Sequence, residues 1–315
     1  RHIADVAIHP QNPDIVWVAA QGTVHGPSKD RGIYKSTDGG TSWRQVLFIN
    51  DSTGISSLSV DLSNPRILYA ASWQHQRYPW TVMSGGAGCA LWKSTDGGET
   101  WKKIYKGLPE KLGKMGISVS RANPGRVYAI VESEKSRSGL YRSDDQGENW
   151  TLMSNDQDIC SRSWYYMEVQ ADPGNENRVY VMNAPLMVSI DGGRTFSRVN
   201  IAHGDTHDLW INPKNTRNMA LADDGGGSVS YNQGASWSSL NNQPTAQFYR
   251  VNTDNVFPYK VYGGQQDNTS VIISSRNNAG SITERDWTTG PGCESAWMAF
   301  QPDDPFQVLG GCYQG

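Results

Sequence analysis

One eight-residue phrase constrains this chain more than anything else in it: Ser36-Thr37-Asp38-Gly39-Gly40-Thr41-Ser42-Trp43. Its pattern, Ser-x-Asp-x-Gly-x-x-Trp, returns at Ser94, Asp96, Gly98 and Trp101, and again at Ser143, Asp145, Gly147 and Trp150. Looser copies stand at Ser189, Asp191, Gly193 and Phe196, and at Ser230, Gly234 and Trp237. Each residue type has a physical role in a tight turn. The Asp carboxylate accepts hydrogen bonds from backbone N–H groups of its own turn. The Gly supplies a positive φ, and the aromatic ring is expected to fold back as an anchor between sheets.

A second repeat precedes each phrase: an apolar strand, a Pro/Asn turn, and another apolar strand. The first copy is Ile3–Ile8 with Ile15–Ala19. Others are Ile55–Val60 with Ile67–Ala71, Gly116–Ser120 with Arg126–Val131, and Tyr166–Gln170 with Arg178–Met182. The series continues with His207–Ile211 and Asn218–Ala222, Phe248–Asn252 and Tyr259–Gly263, and Ser295–Phe300 and Phe306–Gly311. A unit of four short strands recurring every 40 to 50 residues or so is the signature of propeller blades. The fold class expected is therefore all-β: a β-propeller of four-stranded antiparallel blades, about seven of them with the last incomplete. The turn phrase sits in the hairpin joining each blade's outer strands. In the sixth unit, which lacks the phrase, the outer strands are expected at Val271–Ser275 and near Trp287. The reading is one propeller domain over residues 1–315, a fragment of a longer chain whose missing part completes the ring.

The turn phrase resembles the Asp-box (BNR) repeat of sialidase-like and sortilin-like propellers. With Tyr34, Lys35 and the Asn-Pro turns, it resembles the VPS10/sortilin-type family. Within that family the likeness is to bacterial secreted proteins labelled glycosyl hydrolases by similarity. The same likeness extends to Arg162-Ser163-Trp164-Tyr165-Tyr166, His203–Trp210, Asn242–Tyr249 and Gln265-Gln266-Asp267-Asn268. It implies ligands taken in the propeller channel and a secreted, periplasmic or cell-surface location. The likeness to sialidases stops at the Asp box, since Phe248-Tyr249-Arg250-Val251 is not their Arg-Ile-Pro start. Xyloglucan-cleaving Asp-box enzymes pair two propellers around a cleft, whereas one is read here.

Composition narrows the function. A net charge of −3 with no Lys/Arg cluster argues against nucleic acid. No apolar run reaches the length of a membrane span. Phosphate loops, nucleophile elbows and Cys-x-x-Cys pairs are absent from the sequence. Gly225-Gly226-Gly227 reads as a turn, and Asp144-Asp145-Gln146-Gly147 lacks the later Glu of a calcium loop. Four cysteines do not make a disulfide framework. Antiparallel pairing about Gln301–Pro305 sets Cys293 almost opposite Cys312, leaving a bridge or two thiols; Cys89 and Cys160 read as free.

Loops entering the first strand and leaving the second strand of each blade share one face of a propeller. Polar and aromatic residues that break the repeat gather there. Trp73, Arg77, Arg162, Trp164, His203, His207, Asp224, Gln247 and Gln265 are the expected ligand-binding residues. The densest group is His203, Asp205, His207 and, across the strand pair, Asp223. Two imidazoles and two carboxylates suit a hydrogen-bond network or a divalent metal, and no cofactor is required. The expected function is a binding or scaffolding module for a peptide, a polysaccharide or a protein partner, including a larger envelope complex. The alternative is a glycoside hydrolase drawing its two carboxylates from Asp205, Asp223, Asp267 and Glu294, with Trp73, Trp80 and Trp164 stacking on sugar rings.

Overall fold

Short runs rich in β-branched and aromatic residues, cut by Asn, Gly and Pro every few residues, leave little room for helices. The computed structural model describes residues 2–240 and 245–313, and among them there are strands and two 3-10 turns but no α-helix. Asn242, Gln243 and Pro244 of the family-like stretch lie outside the described residues. The chain divides into two compact units, Arg1–Ser239 and Leu240–Gly315.

All seven expected strand pairs form, each antiparallel and each opening a sheet. In the first unit, sheet one comprises His2–Ile8, Val16–Gly22, Gly32–Ser36 and Arg44–Leu47. Sheet two comprises Thr53–Val60, Leu68–Tyr78, Ala90–Ser94 and Lys102–Ile104. Sheets three and four begin with Met115–Val119 and Glu168–Ala171 and have four strands each. Sheet five shows three described strands, Thr206–Ile211, Met219–Asp223 and Gly226–Ser230. The second unit holds a four-stranded sheet, Phe248–Thr253 through Trp287–Thr289, and the pair Met298–Gln301 and Asp304–Gly310. Its outer strands, Ser270–Ser274 and Trp287–Thr289, lie where the sequence places them, and Cys293 and Cys312 form a disulfide with Cα atoms 5.0 Å apart. Cys89 and Cys160 are free.

One element was not foreseen. The second strand of sheet two does not stop at Ala71; it runs on to Tyr78 and turns at Pro79-Trp80 into Thr81–Ser84. The alternation of Trp73, His75 and Arg77 with polar neighbours continues the strand past the sheet as a two-stranded arm.

The five repeated turns share one hydrogen-bond network. The Asp38 carboxylate accepts the Ser42 N–H at 2.8 Å, and Asp96, Asp145 and Asp191 do the same at 3.0, 2.9 and 3.0 Å. In the fifth turn Asn232 takes the place of Asp and accepts from Ser236 at 2.9 Å. The first residue does as much as the third. The Ser36 hydroxyl donates to Asp38 at 2.8 Å and accepts the Gly40 N–H at 2.9 Å, and Ser94, Ser143 and Ser189 repeat both bonds. Gly40, Gly98, Gly147, Gly193 and Gly234 all take φ between 84° and 91°. These bonds hold the carboxyls of Asp38 and Asp145 down at about 2. The aromatic anchors between sheets in four of the five turns: Trp101, Trp150, Phe196 and Trp237 pack into clusters that combine residues of two neighbouring sheets, whereas Trp43 is 44% exposed and lies over its own Gly40. The residue before each of the first three turns also reaches the next turn, Arg142 donating to the Gly192 carbonyl at 3.1 Å. Lys35 reaches Glu99 at 2.7 Å and Lys93 reaches Glu148 at 3.3 Å, while the Trp17 indole donates to the Gly97 carbonyl at 3.0 Å.

The inner strands are joined differently, by side chains capping backbone N–H groups across the gap. Leu58 N–H donates to Asp5 at 3.1 Å, Ile117 to Ser57 at 3.2 Å, Val119 to Ser59 at 3.0 Å and Ala171 to Ser118 at 3.0 Å. Counted back from the last pair of each inner ladder, Asp5, Ser57, Gly116, Glu168 and Asp208 occupy the same position on five strands. A bulge just before it recurs in sheets one, two and five, leaving Ala4, Ser56 and His207 out of register.

Substitution tests the turn. Gly98→Ala combines a φ of +84° with a Cβ 2.7 Å from Trp17 Nε1, so a loss of about 3 kcal/mol in urea unfolding is expected. Gly39→Ala, at φ +69° with its nearest neighbour 3.5 Å away, is expected to lose only about 1 kcal/mol. Equal losses would mean that the Trp17 indole does not constrain the turn.

Candidate functional site

The segment entering sheet four builds the centre of the site. Tyr165 and Tyr166 both donate their N–H to the Arg162 carbonyl, at 2.9 and 3.1 Å, curling the chain so that Trp164 and Tyr165 face outward, 47% and 46% exposed. Two groups on this curl clasp one carboxylate from the entry to sheet five. Arg162 Nη1 lies 2.6 Å from Asp205 Oδ1, and the Tyr166 hydroxyl donates to the same oxygen. Asp205 is held at φ +56° with its N–H on the Ala184 carbonyl at 2.9 Å. Burial, and then donation to Asp205, push the Tyr166 phenol well above its ordinary value.

His207, released from the ladder by its bulge, turns to this group. Its ring stands 4.4 Å from that of Tyr166, and its Nε2 lies 2.7 Å from Asp224 Oδ1. Tyr165 meets His207 edge-on at 6.4 Å and carries the Arg77 guanidinium 6.0 Å above its face. Arg77 brings in the arm of sheet two, where Tyr78 and Trp80 stack at 5.7 Å and Trp80 is 80% exposed. Beneath the arm, buried Arg31 donates through Nη2 to the carbonyls of Thr23, Gly26 and His75 at 2.6, 3.2 and 3.3 Å. Burial lowers its pKa.

The expected residues thus divide. Arg77, Arg162, Trp164, Asp205, His207 and Asp224 come together. Trp73 is buried, stacked on His75 at 3.9 Å, and lines the cavity below rather than the rim. Asp223 pairs with Thr206 instead of His207, because the bulge shifts the register by one; it accepts the Gly225 N–H at 2.9 Å, and burial raises its pKa. His203 packs over Gly225, its Nδ1 2.9 Å from the Gly204 carbonyl. Of the metal quartet His203, Asp205, His207 and Asp223, Asp205 is held by Arg162 and Tyr166, and His207 by Asp224. Among the described residues no three His, Cys, Asp or Glu side chains are placed to hold a metal ion. In the second unit Glu294 accepts the Asp267 N–H at 2.5 Å and the Tyr313 hydroxyl, and Gln247 accepts the Gln266 N–H at 2.8 Å. Gln265 closes a turn with Asn268 and Thr269.

Below the rim the inner strands of the first unit surround a cavity of about 740 Å³. Asp5, Lys114, Glu168 and Asp208 line it, and none was expected. Lys114 Nζ sits 3.4 Å from Glu168 and 5.6 Å from the Trp73 ring. Burial pushes Glu168 up to about 7, with Lys114 opposing and Asp5 assisting, and burial likewise pushes Asp5 up to about 6. A carboxylate amid Ala4 and Val6, or after Met167, was the available sign.

Four-stranded antiparallel sheets fastened by aspartate turns define an Asp-box β-propeller chain. Residues 31–186 match the Sortilin-Vps10 family model, described as Sortilin, neurotensin receptor 3. The chain is 26% identical over 214 residues to a probable oligoxyloglucan-reducing end-specific xyloglucanase of Neosartorya fischeri, covering 53% of this chain and 25% of that one. It is 27% identical over 173 residues to Xyloglucanase Xgh74A of Acetivibrio thermocellus, covering 46% and 20%. It therefore spans a quarter or less of those relatives. The crystal structure of an ancestral GH74 enzyme superposes with a TM-score of 0.54 at 16% identity, covering 91% of this chain and 40% of that one, and shares its fold.

The clasp makes a prediction. Asp205→Asn removes the charge that Arg162 and Tyr166 share, so amide exchange at Tyr165 and Tyr166 should speed up by about tenfold. Exchange within Val127–Val131 should stay unchanged. Unaltered exchange at both tyrosines would show that the curl stands without Asp205.

Proposed function

We propose that this chain is a glycan-binding propeller, exported from the cell, that lays a polysaccharide along the rim of its first unit. The observation carrying this reading is the aromatic track. Trp80 and Tyr78 on the arm are followed by Arg77, then Tyr165 and Trp164 on the curl, with Trp80 open to solvent and the other three rings partly exposed. Open aromatic faces beside fixed polar groups suit pyranose rings, whose C–H faces stack while their hydroxyls seek donors and acceptors. Arg162, His207 and Asp224 supply those polar groups. A peptide or a protein partner would use the same surface. The named relatives favour xyloglucan as the first glycan to try.

Hydrolysis of that glycan is the second reading, and the relatives' names are what favour it. It requires two carboxylates about 5–10 Å apart, one of them able to give up a proton. Asp205 is already engaged by Arg162 and Tyr166. Asp223, Asp267 and Glu294 remain the other carboxyls to replace.

Titration of xyloglucan by calorimetry tests both readings. Trp164→Ala and Trp80→Ala should each weaken binding by about tenfold, since stacking of this kind contributes on the order of 1 kcal/mol or more. Equal affinity in both variants removes the track from the binding surface. Release of reducing ends that is abolished by Asp223→Asn or Glu294→Gln would replace the binding reading with the hydrolytic one.

A further inference from the structure

The cavity of the first unit carries charge that the rim does not use. Asp5, Glu168 and Asp208 stand at one equivalent position on the inner strands of sheets one, four and five, and the third-sheet residue at that position is Gly116. The vacancy matters: a Cβ at Gly116 would come within 2.8 Å of Glu168 Oε2. Glu168 leans into that space and meets Lys114, 3.4 Å away, the residue just before the strand of Gly116. From sheet two, Ser57 caps the neighbouring Ile117 amide and Asp61 lines the same cavity; Arg121 does so from sheet three, and His207 from sheet five. Asp5 is at once a member of this group and the acceptor that joins sheet one to Leu58 of sheet two. Three carboxylates thus line one cavity among the inner strands, and Lys114 contacts one of them, Glu168.

We propose that Asp5, Lys114, Glu168 and Asp208 form a proton-operated latch, which holds the inner strands together when Asp5 and Glu168 are protonated and loosens them when both are ionised. The direction follows from linkage. Glu168 titrates near 4.5 in an unfolded chain and at about 7 in the fold, so across that interval the folded state holds the extra proton. Stability is then full below the unfolded value, declines as pH rises, and reaches its lower level above the folded value. Asp5, at about 6, adds to the same decline. The turn aspartates act oppositely: Asp38 and Asp145 are held at about 2, so their contribution is lost only on strong acidification. The inner seam therefore responds to mildly acidic pH, and the outer turns do not. This inference stands independently of the glycan reading.

The test uses the whole chain. Amide protection at Leu58, Ile117, Val119 and Ala171, corrected for intrinsic exchange, should fall by at least about tenfold between about pH 5 and pH 8. Protection in the outer strand Gly139–Ser143 should change less. Glu168→Gln and Asp5→Asn should each flatten the dependence. Lys114→Met, which removes the cation opposing the shift, should move the transition to higher pH. The latch is overturned if the wild-type seam shows no pH dependence, if both carboxyl variants keep the full dependence, or if Lys114→Met leaves its midpoint in place.

Discussion

A four-stranded sheet leaves two edges of unpaired N–H and C=O groups, and satisfying the inner edge is the constraint on which the first unit depends. The answer is not more backbone. Asp5, Ser57, Ser59 and Ser118 reach from one inner strand to the amides of the next, so sheets one, two and three each lend the following sheet acceptors it lacks. Short polar side chains suit this role because their own lone pairs are satisfied in the same step. At the outer ends the problem is solved within each turn, by a serine hydroxyl and an Asp or Asn side chain that accept the turn's own amides. Lysines then tie one turn to the next.

This division explains why the rim is free to carry function. Neither the seam nor the turns make use of the curl at 162–166, the arm at 74–84 or the bulged His207. These parts are fastened separately, by the Arg162–Asp205–Tyr166 clasp and by buried Arg31 gathering three carbonyls under the arm. A scaffold whose edges are already satisfied can present aromatic faces to solvent without offering a sheet edge beside them.

Much of the architecture was legible because repetition writes it several times. Five copies of the turn phrase and seven strand pairs fixed the sheets closely, and the glycines at positive φ fell where the phrase put them. The role of Ser36 and its counterparts was not legible from type alone, since a serine in a turn has many partners. Nor was the shared inner-strand position of Asp5 and Glu168. Asp5 and Glu168 sit in strands that read as core, and only three-dimensional closure turns that face toward a cavity. The arm of sheet two escaped notice because it occurs once, and a period shows only what recurs. Of the rim, the gathering of Arg77, Arg162, Asp205, His207 and Asp224 was foreseen. Their pairing was not: it turns on a one-residue bulge that moves Asp223 opposite Thr206 and sends His207 to Asp224.

That bulge has a wider meaning. A residue standing outside the ladder owes nothing to register, so exchanging its side chain resets no pairing on either side. The same slot holds Ala4 in the first sheet, Ser56 in the second and His207 in the fifth: a methyl group, a hydroxyl and an imidazole set into one backbone socket. Chemistry can be swapped there sheet by sheet while the frame that carries it remains the same.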